Sequence, residues 1–258
     1  MSVQPDLKAP GGFLPESFPV AAKVYILSVI AVGLSVFLYS AYLSWMHPDS
    51  RWLYLAGLTV VASCLAVKIP LIKGNTSLSI TISDVFIFAA ILVFGPAVAV
   101  VMAVIEGFIT NFRVGNKRLY KHLFNLGLLA LVAFAVSQVF YLIVGKTAPL
   151  DPIGPQDLGR LLMNGGICAL LYFVLNSSSV ALAIALASRQ SWVTVWTQNF
   201  LWTSPANFVN ALCALIVFVS FTQGGFPVAA IVVLPAMVVY GAHRLSDFRI
   251  KQNAAVNR

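Results

Sequence analysis

Two acids stand where acids are expensive. Asp84 opens one strongly apolar run and Glu106 lies midway through the next, while the chain's six other acids fall in tails and loops. An acid at the centre of a membrane-spanning helix costs about 2.5–3.5 kcal/mol on insertion scales, so such residues normally face a bundle interior, where they pair or line a pathway. On neighbouring spans, the two carboxyls are placed to face one cavity. The competing reading is neutralisation at the membrane edge, by Lys73 for Asp84 and by Arg113 for Glu106. An amide-rich set accompanies them. Asn125 opens a later run, Asn164 and Asn176 lie in the next with Ser177, Ser178 and Ser179, and Asn207 and Asn210 follow Pro205. Taken singly, each is more simply interhelical glue, worth about 0.6 kcal/mol. Taken with the acids, Asp84, Glu106, Asn125, Asn176 and Asn207 form the candidate ligand-binding set.

Other chemistry finds no support. The sequence holds no GxGxxG, Walker A, HExxH or GxSxG pattern. Its three cysteines, Cys64, Cys168 and Cys213, sit far apart within apolar runs, as buried free thiols would. The histidines lack metal-ligand spacing. The expectation is a non-enzymatic protein with no metal site and no cofactor.

The elements that must position these residues follow from composition. Of 258 residues 60% are hydrophobic and only 9% charged, against about 25% charged in a soluble domain. The bilayer is therefore the solvent. Eight apolar runs read as spans: Ala21 to Trp45, Trp52 to Val67, Ile80 to Phe94, Ala97 to Phe112, Leu123 to Val144, Leu161 to Ala187, Leu201 to Phe221 and Phe226 to Tyr240. The third and fourth, split by Gly95-Pro96, are short, and a re-entrant pair is the alternative there. With the N-terminus inside, 13 of the 16 Lys and Arg fall on inner segments and only Arg51, Lys146 and Arg160 outside, as the positive-inside rule requires. The net charge of +8 is thus topological and not a nucleic-acid patch. The expected architecture is an all-α polytopic bundle of eight spans with both termini cytoplasmic. It comprises a flexible tail over residues 1–20, the bundle over 21–243 and a basic tail over 244–258. Two further segments stand out. From Asn75 to Asp84, Ser77, Ser79, Thr81 and Ser83 alternate with Leu78, Ile80 and Ile82, a period of two that reads as extended chain. Ser191 to Trp202 mixes Trp with Thr, Gln and Asn and reads as interfacial.

Several short motifs carry a resemblance. Ser83-Asp-Val-Phe-Ile-Phe, Phe94-Gly-Pro-Ala, Leu123-Phe-Asn125, Asn199-Phe-Leu-Trp202 and the basic Arg244-Leu-Ser-Asp-Phe-Arg249 together resemble the multi-span MASE-type sensor regions found N-terminal to bacterial HD-GYP, HD and GGDEF signalling proteins. The likeness covers roughly residues 50 to 250. It implies a sensing module of the bacterial inner membrane. Its partners would be the lipid bilayer, a small-molecule or lipid ligand, and a separate cytoplasmic signalling or motor protein. The segment over about residues 75 to 115 is also similar to the substrate-binding S components of energy-coupling-factor transporters, which implies vitamin-like solute transport. Those proteins commonly have six spans.

Overall fold

The computed structural model describes residues 13–46, 49–64, 67–70, 77–80, 84–114, 118–144, 158–201 and 210–219. Helix dominates because, in lipid, a backbone must satisfy its own polar groups within the segment. The helices are α1 (Val20–Trp45), α2 (Trp52–Ser63), α3 (Asp84–Val93), α4 (Pro96–Val114), α5 (Leu119–Val144), α6 (Leu158–Ser188) and α7 (Trp192–Asn199), followed by α8 (Asn210–Val219). Three are long and apolar enough to cross a bilayer: Val20–Trp45, Leu119–Ile143 and Gly165–Ser188. The others are shorter apolar helices, apart from the short polar-faced α7.

The extended segment is present, but as half of a pair. Strand β1 (Val67–Pro70) runs antiparallel to β2 (Ser77–Ile80), with Val67 opposite Ile80 and Pro70 opposite Ser77. Among the described residues the architecture is all-helical apart from one small hairpin, and two apolar runs are trimmed by it. The second ends as helix at Ser63, not at Val67. The third becomes helical only at Asp84, because Ile80 belongs to the strand. Residues 226–240, the eighth run, lie outside the described residues. The interfacial segment forms α7, which packs on the end of α6.

α3 is the innermost helix. Every residue from Val85 to Val93 is buried, the mark of a helix apolar on all sides. At about 1.5 Å per residue its ten residues reach only about 15 Å, half of a hydrocarbon core. Gly95, at φ 91°, takes a left-handed conformation that other residues rarely adopt. Pro96 then opens α4 at the first helical position, where its missing N–H is harmless. Around this unit α1 packs on α5 and α4, α5 on α4 and α6, and α2 on α4 and α3. The outward faces are apolar, with Val20, Leu38, Tyr42, Trp45, Leu142 and Met163 all well exposed. Four of the hydroxyls in these helices bond back one turn: Ser28 to Val24, Thr59 to Leu55, Ser137 to Ala133 and Ser188 to Ile184. Such bonds silence a polar atom without water. Cys168 is buried, but Cys64, at the end of α2, is exposed rather than core.

The α1–α5 crossing depends on two glycines. A Cβ on Gly33 would overlap the backbone of Gly127, and one on Gly127 would come within 2.7 Å of the Val29 carbonyl oxygen. Backbones in that proximity gain dispersion contacts that no larger residue permits. Gly127→Leu should therefore lower stability by about 2–3 kcal/mol, in the range for overpacked cores. Gly57→Ala, with open space at its Cβ, should stabilise by about 0.5–1 kcal/mol. Thermal melts in one detergent compare the two, and a Gly127→Leu variant as stable as the parent would contradict the crossing.

Candidate functional site

α3 and α4 leave the Gly95–Pro96 turn side by side, which sets Asp84 in the first turn of α3 facing Glu106 of α4. An acid in a first turn also meets the positive end of its own helix dipole. The two carboxyls lie within electrostatic reach of one another in the bundle interior. Asp84 Oδ2 accepts from Asn210 Nδ2, 3.3 Å away, across 126 residues of sequence. Glu106 is 7% exposed and Asn210 equally buried. Asn210 is the first residue of α8, so one side-chain bond fastens that helix to the acid pair.

A fourth helix completes the cluster. Tyr172 of α6 is fully buried, its ring 5.2 Å from that of Phe88 in an edge-on contact. It lies within electrostatic reach of both Asp84 and Glu106. Its hydroxyl has no hydrogen-bond partner among the described residues, nor has that of Thr110, one turn past Glu106. One turn deeper, an apolar crevice of about 10 Å³ is lined by Phe88, Ile91, Phe140, Cys168, Ala211 and Leu215, about the room a single water requires. Among the described residues no three His, Cys, Asp or Glu side chains gather as a metal set.

The remaining candidates are dispersed. Asn125 Nδ2 donates to Asn111 Oδ1 at 3.0 Å, and Asn111 Nδ2 donates to the His122 carbonyl at 3.3 Å. This bridge ties α4 to α5 five residues beyond Glu106. Asn176 is half-buried on α6, one turn past Tyr172. Its serine neighbours serve other contacts. Ser177 Oγ accepts from Trp196 Nε1 at 2.8 Å, the Ser178 carbonyl from Trp192 Nε1 at 3.1 Å, and the Ser179 carbonyl from the Tyr25 hydroxyl at 3.2 Å. Asn207 and Lys73 lie outside the described residues, as does the side chain of Arg113. Sequence reasoning passed over Tyr172 and Asn111. A phenol within an apolar run reads as packing, and Asn111 stands too near Arg113 to signal more than an edge.

The cluster makes a direct prediction for packing. Glu106→Gln keeps both a donor and an acceptor and should leave the melting temperature within about 2 °C of the parent. Glu106→Ala removes a hydrogen-bonding partner from a buried group, which costs about 1–3 kcal/mol. Equal melting temperatures for the two variants would show that the carboxyl makes no structural contact.

The MASE9 family profile matches residues 53–240, a span that holds α2 to α8 and with them Asp84, Glu106, Tyr172 and Asn210. No curated protein and no solved structure matches the chain. MASE domains are membrane-associated sensor regions. With almost three quarters of its length inside the match and helices apolar enough to span a bilayer, the chain belongs to the MASE9 family of membrane-associated sensor modules.

Proposed function

We propose that the chain is a multi-pass sensor of the bacterial inner membrane that detects a small molecule or lipid at the Asp84–Glu106 cluster and signals to a cytoplasmic partner. The observation that carries it is the convergence of four helices on one buried carboxyl pair, inside the family match. The two carboxyls, the Asn210 amide and the Tyr172 phenol suit a ligand group rich in hydrogen-bond donors or positively charged. The proposed set also includes Asn125, Asn176 and Asn207, of which Asn176 stands one turn from Tyr172 on α6. A ligand that competes for Asp84 would loosen the bond to Asn210, move α8 and so shift the basic segment 244–258. It can do so only by binding the two arrangements with different affinity. The same module works without chemistry of its own, with eight spans and both termini in the cytoplasm, as the distribution of Lys and Arg favours.

Two measurements test this. Reporter fusions at both ends should read cytoplasm, and a periplasmic C-terminus would refute the eight-span topology. In a thermal-shift screen of bacterial metabolites and lipids against the purified protein, a stabilising compound should lose at least tenfold in affinity with Asp84→Asn or Glu106→Gln. Undiminished binding to both variants would remove the cluster from the ligand site. Uptake of a labelled solute into vesicles, dependent on a co-expressed ATPase motor, would make the protein a transporter instead.

A further inference from the structure

We propose that the charged ligand of the carboxyl cluster is a monovalent metal cation of the Na⁺ class, held by Asp84 and Glu106 together with the hydroxyls of Tyr172 and Thr110. The inference rests on the sensing role proposed above and narrows its ligand to one chemical class. Two hydroxyls point to that ligand. Tyr172 is 1% exposed, and its hydroxyl has no hydrogen-bond partner among the described residues. The charged groups acting on it are Asp84 and Glu106, so the phenol is turned toward the pair. Thr110 Oγ1 is buried and equally unpartnered. It stands one turn past Glu106, on the same face of α4.

A buried hydroxyl without a partner is expensive. Other hydroxyls of this bundle avoid that cost by bonding back one turn, as Thr59 does to Leu55 and Ser177 to Phe173. Thr110 could take this route and does not. Tyr172 has no such route, because its hydroxyl lies too far from its own backbone. The charges ask for the same ligand. Among the described residues Glu106 and Asn210 are the groups that act on Asp84, and no lysine or arginine is one of them. Two carboxyls in a low-dielectric interior are costly unless an opposite charge joins them. The positive end of α3, with Asp84 in its first turn, supplies only about half a charge.

The donor set names the class of cation. Carboxyl, phenol and alcohol all offer oxygen, which suits hard cations, whereas softer transition metals select nitrogen and sulfur. Among the described residues no third His, Cys, Asp or Glu joins the pair, as a zinc site would require. Space and coordination favour one charge over two. Ca²⁺ takes about six to eight oxygens, and Mg²⁺ keeps several of its waters. The crevice adjoining the cluster at Phe88 has about 10 Å³, room for roughly one water. A less strongly hydrated monovalent ion can be held by these few oxygens with at most that one water. In this arrangement of the helices the same confinement excludes the carbon skeleton of an organic ammonium.

The test measures stabilisation by the ion itself. Purified full-length protein in nanodiscs is melted across a NaCl series, with choline chloride holding the ionic strength constant. A ligand of the folded state raises the melting temperature as its concentration rises, so Na⁺ should raise it saturably, by about 4 °C or more. Tyr172→Phe removes one oxygen and keeps the ring against Phe88. It should melt no lower than the parent in choline chloride, and need about fivefold more Na⁺ for half the shift. Asp84→Asn should abolish the shift. Ser28→Ala, which loses only a bond to its own helix, should leave it unchanged. Equal melting in NaCl and choline chloride overturns the proposal. So does a Na⁺ response undiminished in both Tyr172→Phe and Asp84→Asn, or saturable stabilisation by CaCl₂ or MgCl₂ but not by NaCl. Hydrogen exchange in α8 separates the cation from the sensing role. Na⁺ should quicken exchange there by loosening Asn210 from Asp84. Stabilisation by Na⁺ with unchanged exchange in α8 upholds the cation site and counts against sensing. A screened metabolite or lipid whose binding needs Asp84, in a protein indifferent to Na⁺, overturns the cation and leaves sensing in place.

Discussion

In a bilayer a polar group has only the chain itself for company, and the rest of this structure follows from that constraint. The hydroxyls of Ser28, Thr59, Ser137 and Ser188 resolve it locally, by bonding to their own helix one turn back. A carboxyl cannot, because it has too many lone pairs and too high a desolvation cost. Asp84 and Glu106 are therefore kept together in the interior, and Asp84 accepts a hydrogen bond from Asn210 as well. Satisfying two acids thus requires α3, α4 and α8 to meet at one point, with Tyr172 bringing α6 to the same place.

The bundle is arranged to make that meeting possible. α3 is too short to cross a bilayer alone, and its position at the centre lets its first residue end inside the protein rather than at a surface. The Gly95–Pro96 turn returns the chain so that α4 runs beside it. Gly33 and Gly127 let α1 and α5 close on one another, and α4 packs against both. In the proposed sensing role, a polar junction shared by four helices is a place where one bound group would alter the positions of several elements together.

Much of this was legible in the residues. Asp84 and Glu106 announced themselves because acids in apolar runs are rare, and their adjacency followed from the short turn between the runs. The extended segment was visible in the alternation of Ser77, Leu78, Ser79 and Ile80, although its partner at Val67–Pro70 was hidden in the tail of an apolar run. Hydropathy measures lipid compatibility and not helix, so it carried the second run past Ser63 and started the third before Asp84. Long-range choices were illegible for a different reason. Whether Asn125 would meet Glu106 or Asn111 depends on the rotation of α4 and α5, which neither span records. Nor does the sequence of α6 show that Tyr172 turns inward toward the acids, while Ser177 turns toward Trp196.

The central claim is that Asp84 and Glu106 act as one energetic unit, and a double-mutant cycle tests it directly. Unfolding free energies of the parent, Asp84→Ala, Glu106→Ala and the double variant, each single change removing the pair's interaction, would be measured in the same nanodisc lipid. Coupled neighbours give an interaction energy of about 0.5–3 kcal/mol, whereas independent sites add within about 0.3–0.5 kcal/mol. Their proximity in the buried interior predicts a coupling of at least about 1 kcal/mol. Strict additivity would mean that the two acids sit apart, and the hub would not exist.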